Sequence, residues 1–223
     1  GREKQMNLKK APRSKKVLVI GGGPAGLETA LIAGLRGHEV TLWEKEDVLG
    51  GQWNLASVPP GKQNYRWVVD WRVSQISKLA NVTVKTGCEA TPTMVTNLAP
   101  EVVVVATGSV PIILDLPGAD GDRVVTAHDV LAGKVNPGET AAVLGGGNTG
   151  CETANYLGAK GGKVTVVEAL PMIAMDAIPA RMVWLKRSLA GHGVKIQTDA
   201  RVEEITPSGE VLVQRHGRSE ERR

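Results

Sequence analysis

The sequence alternates short, unbroken apolar runs with longer amphipathic ones. Residues 16–21 (KVLVIG) are apolar over too short a length for a helix and end in glycine, which predicts a buried strand. A helix is predicted over 25–36 and a second strand over 39–44. Residues 45–62 are rich in Gly and Pro and read as a long loop. Beyond it Val68, Trp71, Ile76 and Leu79 recur at helical spacing and predict one apolar face. NVTVKTG and EVVVVATG read as strands, the latter buried on both faces because its four valines alternate with nothing polar. The order then begins again: strand 140–145, helix 148–160, strand 163–168, and helix 179–190 with Ile178, Met182, Leu185 and Leu189 as its stripe. GVKIQTD and VEEITPSGEVLVQR add strands, the last two joined as a hairpin at Ser208–Gly209. Strands that alternate with helices imply right-handed crossovers and parallel sheets. The fold class is α/β, with two Rossmann-like dinucleotide-binding domains.

The second run of elements copies the first at an offset of 124. Gly21, Gly23, Gly26, Glu28, Thr29, Ala30, Gly34, Gly37, Val40, Thr41 and Glu44 all recur 124 residues on. In the first copy Gly21 permits a tight turn after the strand, and Gly23 lets backbone amides approach a pyrophosphate. Gly26 brings helix and strand close together. Pro24 and Ala25 then open a helix whose N-terminus faces the phosphates. Glu44 ends the second strand 23 positions after Gly21, where a carboxylate can accept ribose hydroxyl hydrogen bonds. Gly145, Gly147, Asn148, Thr149 and Gly150 form the second loop, with Glu168 at the same spacing of 23. No Arg or Lys follows Glu168 until Arg181, so the carboxylate favours NADH over the 2′-phosphate of NADPH.

Composition changes this picture little. The chain has 223 residues, is 42% hydrophobic and carries a formal charge of +4. That charge is concentrated at the two ends, and the body over 17–214 is acidic, which argues against nucleic-acid binding. No run approaches the length of a membrane span, and the N-terminus is not a signal peptide. The cytoplasm is the expected location. Cys88 and Cys151 form no redox or metal motif, and Cys151 reads as a small buried thiol within the second nucleotide helix. The four histidines are scattered, while Glu28 and Glu152 read as facing solvent or capping packing. No catalytic side chain and no metal ligand is assigned. The Pro-Gly turn within residues 134–139 marks the predicted boundary. It leaves 1–15 as a basic linker arm, 16–134 as the first part of an FAD- or ADP-binding domain, and 135–223 as an NAD(H)-binding domain.

Two further features point to a flavin in the first copy. Gly50, Gly51 and Gln52 (GGQ) give a flexible turn where backbone can approach a bulky ligand. Ala106, Thr107 and Gly108 close a buried strand at a chain crossing. The ordered set GGGPAG, EK with LGGQ, PPGK, VVVVATGSVP, GGGNTGCETA and VTVVE resembles the flavoprotein group of 2,4-dienoyl-CoA reductase, 2-enoate reductase and trimethylamine dehydrogenase. The resemblance covers nearly the whole chain. It implies that Lys45 and Ala90, with the loop residues above, also line the FAD site. It implies too that NADH reduces FAD, and that electrons then pass through a four-iron cluster to FMN in an upstream barrel. There an enoate- or enoyl-type substrate is reduced. The opening GRE is similar to the segment after the last cluster cysteine of that group, and a returning Gly-Asp segment of the flavin domain is absent. Both domains are therefore expected to be incomplete at their C-terminal ends, as a fragment of a larger, oligomeric enzyme. The expected partner is the parent's own barrel. The trimethylamine dehydrogenase branch implies an alternative, in which the first site holds ADP and the second oxidises no NADH.

Overall fold

The computed structural model describes residues 7–215; the opening GRE and the tail from His216 lie outside the described residues. The chain forms two compact units, Gly1–Ser57 with Lys62–Val110, and Val58–Gly61 with Pro111–Arg223. The Pro137–Gly138 turn thus lies inside the second unit, just ahead of its first strand.

The first unit runs β1 (Lys16–Ile20), α1 (Pro24–Leu35), β2 (Glu39–Trp43), α2 (Gln52–Ala56), α3 (Arg66–Ile76), β3 (Val82–Lys85), α4 (Pro92–Leu98) and β4 (Val102–Val105). Its parallel sheet has the order β3-β2-β1-β4. The register pairs Val17 with Val40 and Val102, and Val19 with Leu42 and Val104, so these side chains share one face. That face packs against Leu27, Ala30 and Leu31 of α1 and Val69 and Ile76 of α3. A helix of 12 residues such as α1 is marginal by itself in water, and burial of this face holds it. Each fully buried leucine contributes about 1.5–3 kcal/mol relative to exposure.

Several expectations require correction in this unit. The loop over 45–62 contains α2, whose start at Gln52 follows directly from the two glycines. In α3 the buried stripe is Val69 and Ile76 with Val73 beside them, while Trp71 is 55% exposed. Two aromatic residues four apart, Trp67 and Trp71, lie on the outer face, and periodicity alone could not choose between the stripes. β4 is not buried on both faces: Val103 and Val105 are 41% and 70% exposed. A run of four valines offers no polar alternation to show which face is open. Residues 11–15, read as linker, are docked: Ala11 donates to Arg36 O at 2.9 Å, Lys15 O accepts from Glu39 N at 2.9 Å, and Arg13 pairs with Glu101.

The second unit runs α5 (Ala127–Leu131), β5 (Thr140–Leu144), α6 (Asn148–Ala159), β6 (Lys163–Val167), α7 (Pro179–Gly191), β7 (Lys195–Gln197), β8 (Ala200–Ile205) and β9 (Val211–Arg215). β5, β6 and β7 form a parallel sheet, and β8–β9 are an antiparallel hairpin turning through Gly209 at φ +87°. Cys151, Ala154, Val164, Val166, Leu185 and Leu189 form the core. Met182 is partly buried against it, but Ile178 is 72% exposed and caps α7 instead of joining its stripe. Among the described residues β5 has one strand neighbour, whereas its counterpart β1 has two.

Candidate nucleotide-binding sites

In the first unit the chain leaves β1, turns at Gly21 with φ +105°, and enters α1 with Gly23 as N-cap and Pro24 in the first turn. Only glycine suits this turn, because the backbone is left-handed and a Cβ would strike the Ala106 carbonyl. Gly26 serves close approach, since a Cβ there would strike the Gly21 carbonyl. No side chain caps α1, and a Cβ on Gly23 would meet nothing within 4 Å. The first-turn N–H groups therefore face a clear space, with the positive end of the helix dipole behind them. An anionic diphosphate fits that cradle.

Three segments distant in sequence close around the loop. Glu44, 6% exposed, accepts the Gly22 N–H through Oε2 at 2.5 Å and the Glu46 N–H through Oε1 at 2.9 Å. The carboxylate thus ties the end of β2 to the glycine loop, and each oxygen keeps a lone pair for a further donor. Gly50 donates to Gly22 O at 2.8 Å, and a Cβ on Gly51 would lie 3.2 Å from Gly23 Cα. Gln52 Nε2 donates to Ser109 O at 2.6 Å, which draws the segment of Ala106, Thr107 and Gly108 to the same turn. Ala106 in turn donates to Ile20 O at 2.8 Å.

Other predicted residues stand apart. Lys45 is 66% exposed and pairs with Glu46. The Ala25 backbone N–H belongs to the first turn of α1, but its side chain lines a separate groove of about 860 Å³ with Glu28, Thr29 and Ile32 of α1 and Val102 and Val104 of β4. Ala90 is half-buried, two residues beyond Cys88, whose N–H donates to Glu44 O at 2.8 Å. Ser109 was missed from sequence, since nothing local distinguishes it from any loop serine.

The second unit repeats the plan. Gly145 turns at φ +96°, a Cβ on Gly150 would strike the Gly145 carbonyl, and Gly147 caps α6. Glu168 accepts from Gly146 at 2.6 Å and from Leu170 at 2.8 Å, as Glu44 does from Gly22 and Glu46. Thr149 O accepts from the Thr153 hydroxyl at 2.9 Å within α6. Asn148 differs from expectation: its backbone N–H is taken by the carboxylate of Asp176, at 2.8 and 3.0 Å. Asp176, Ile173 and Ala174 were missed. The offset of 124 maps them onto Gln52, Leu49 and Gly50, but the identities lapse there and only an apolar–small–polar pattern remains.

Glu28 and Glu152, read as facing solvent or capping packing, form ion pairs with a neighbouring helix. Arg72 Nε reaches Glu28 at 2.7 Å and an Arg181 guanidinium nitrogen reaches Glu152 at 2.7 Å. Arg181 also lies over the Trp184 ring at 4.5 Å. Cys151 is fully buried and donates to Gly146 O at 3.2 Å. Burial pushes its thiol up to about 11, and the charges of Asp176, Glu168 and Glu152 add to the effect, against a backbone hydrogen bond from Ala174. The thiol is inert at neutral pH. Among the described residues no helix is long and apolar enough to cross a membrane.

The family model described as pyridine nucleotide-disulphide oxidoreductase matches residues 15–222. The chain is 42% identical over 217 residues to an NADH oxidase of Thermoanaerobacter brockii, covering 96% of this chain and 33% of that protein. It is 44% identical over 168 residues to a cinnamate reductase of Clostridium sporogenes, covering 75% and 25% of the two chains. The solved structure of a 2-naphthoyl-CoA reductase complex superposes with a TM-score of 0.91 at 33% identity, over 94% of this chain and 32% of that one. The chain thus spans about a third or less of the length of these relatives.

Proposed function

The chain belongs to the pyridine nucleotide-disulphide oxidoreductase family, and from that premise we propose that it is the nucleotide-binding part of a flavin-dependent oxidoreductase that takes a hydride from NADH onto FAD. The observation that carries this reading is the clear space at Gly23 over an uncapped α1, bounded by Glu44, Gly51 and the Ala106–Gly108 segment. In this reading the α1 backbone N–H groups hold the FAD diphosphate, and Glu44 orients its ribose. Gly51 and the Ala106–Gly108 turn, which lie beside the same loop, would border the rest of the molecule. In the second unit Glu168 and the Gly145–Gly150 loop serve NADH in the same way. Arg181 is committed to Glu152 and Trp184 and offers no charge to a 2′-phosphate.

A bound flavin supplies the capacity to accept two electrons as hydride and to release them singly. The protein's part is to bind, orient and exclude water. The names of the relatives, a cinnamate reductase and a 2-naphthoyl-CoA reductase among them, support an enoate- or enoyl-type substrate for the parent enzyme. We propose further, on the motif resemblance alone, that the electrons pass to an upstream barrel with an iron–sulfur cluster and FMN. Among the described residues Cys151 is buried and protonated at neutral pH, and no side chain is assigned to carry that reduction.

The test is the visible spectrum of the full-length protein and its response to NADH without oxygen. A yellow protein that holds FAD and bleaches on mixing with NADH supports the proposal. A colourless protein that releases ADP on denaturation supports the ADP-holding alternative instead.

A further inference from the structure

The internal repeat builds one crossing turn twice and gives it two different occupants. In the first unit Leu49 packs on Gly22 and Gly50 donates to Gly22 O at 2.8 Å. In the second, Ile173 packs on Gly146 and Ala174 donates to Gly146 O at 2.7 Å. Two residues further the copies part. Gln52 reaches away to Ser109, and the space at Gly23 stays clear. Its counterpart Asp176 turns inward, places both carboxylate oxygens on the Asn148 N–H, and would stand 3.4 Å from a Cβ on Gly147.

We propose that Asp176 is a built-in competitor for the dinucleotide at the second site. Its carboxylate holds the anion position at the α6 N-terminus, and a diphosphate takes that position only when the Asp176 side chain rotates away. This rests on the reading of the second unit as an NADH site. A diphosphate meeting Asp176 in place would also face Glu168, with no free arginine nearby in sequence to offset the repulsion. The side chain is free to swing while the turn stays anchored: Asp176 is exposed, whereas Ile173 and Ala174 are buried in the core of the unit. Return of the carboxylate to Asn148 would also favour release of the spent nucleotide.

The experiment uses the full chain carrying Gly23→Val, which closes the first loop, with and without Asp176→Asn. Asp176→Ser serves as a second variant, and circular dichroism verifies folding. Each protein is titrated with NADH, ADP and adenosine. NADH and ADP should bind about tenfold more tightly to the Asp176 variants, the scale of one carboxylate–helix interaction given up. Adenosine, which has no phosphate, should not change, and the gain should narrow at high salt. Unchanged or weaker NADH and ADP binding by both folded variants overturns the competitor while leaving the nucleotide reading intact. An equal gain for adenosine also overturns it, because the loop is then merely loosened. Binding of none of the three by any of these proteins overturns the nucleotide reading and this inference together.

Discussion

Glu168 accepts the Gly146 N–H at 2.6 Å, and 124 residues earlier Glu44 accepts the Gly22 N–H at 2.5 Å. In both units the carboxylate that ends the second strand clasps the glycine loop through one oxygen and its own following turn through the other. It is held rigidly before any ribose arrives, which reduces the ordering cost of binding.

Cofactor choice follows from that placement. In the proposed reading a ribose hydroxyl would find an oriented acceptor at Glu168, while a 2′-phosphate would meet a fixed negative charge and an arginine already paired with Glu152. NADH should be preferred over NADPH by at least about tenfold in kcat/KM for flavin reduction, with the preference shrinking as salt rises. Glu168→Arg should shift the preference toward NADPH. Stopped-flow flavin bleaching on the complete enzyme measures both, and equal rates with the two nucleotides would remove Glu168 from this role.

Gly23→Val should abolish FAD retention and leave the fold standing. The added side chain enters a space with no protein atom within 4 Å of its Cβ, at a backbone φ of −73° that any residue adopts. A melting temperature within about 3 °C of the parent is expected, the scale of a neutral surface change. Gly26→Val is the contrast, since it must displace the Gly21 carbonyl and should destabilise by several kcal/mol. Undiminished FAD in purified Gly23→Val protein would show that the loop does not hold the flavin.

The two repeated ion pairs differ in burial and therefore in worth. Glu152 is 9% exposed and its partner Arg181 21%, whereas Glu28 and Arg72 are 46% and 24% exposed. Glu152→Gln should cost roughly 1–3 kcal/mol in urea unfolding, because it strands a partly buried guanidinium. Glu28→Gln should cost under about 1 kcal/mol. Equal effects would mean that burial does not set the difference.

The Cys151 thiol gives a pH signature. Pushed up to about 11 in the fold, it stays protonated where the unfolded chain, with the ordinary value of 9.0, ionises. The folded state then binds more protons, so stability is whole below pH 9 and falls between pH 9 and 11. Cys151→Ala should flatten that fall in urea midpoints measured across the window. At pH 8 iodoacetamide should label Cys88, which is half-buried, before Cys151.

What the sequence determined by itself is local. The order of strands and helices, the duplication at 124, and the need for glycine at positions 21, 26, 145 and 150 follow from periodicity and from steric limits within one β–α–β unit. The acids at 44 and 168 follow from the same short reach, since each bonds a residue 22 positions earlier. Tertiary structure decided whatever depends on which layer covers an element and on how loops return. Four consecutive valines could not disclose that Val103 and Val105 are exposed, nor could helical spacing prefer Val69 to Trp71. The corresponding turns at Leu49–Gln52 and Ile173–Asp176 share no identity, and their backbones differ, with positive φ at Gly50 and Gly51 in one and at Ala174 in the other. What they share is one backbone hydrogen bond to the glycine loop, from Gly50 or Ala174, and an apolar contact that leucine and isoleucine both make. Two differences separate an open anion site from a closed one: Gln52 turns away where Asp176 turns in, and Pro24 has no N–H where Asn148 offers one. The direction of the Gln52 or Asp176 side chain is set by what it finds across space, Ser109 in one unit and the end of α6 in the other.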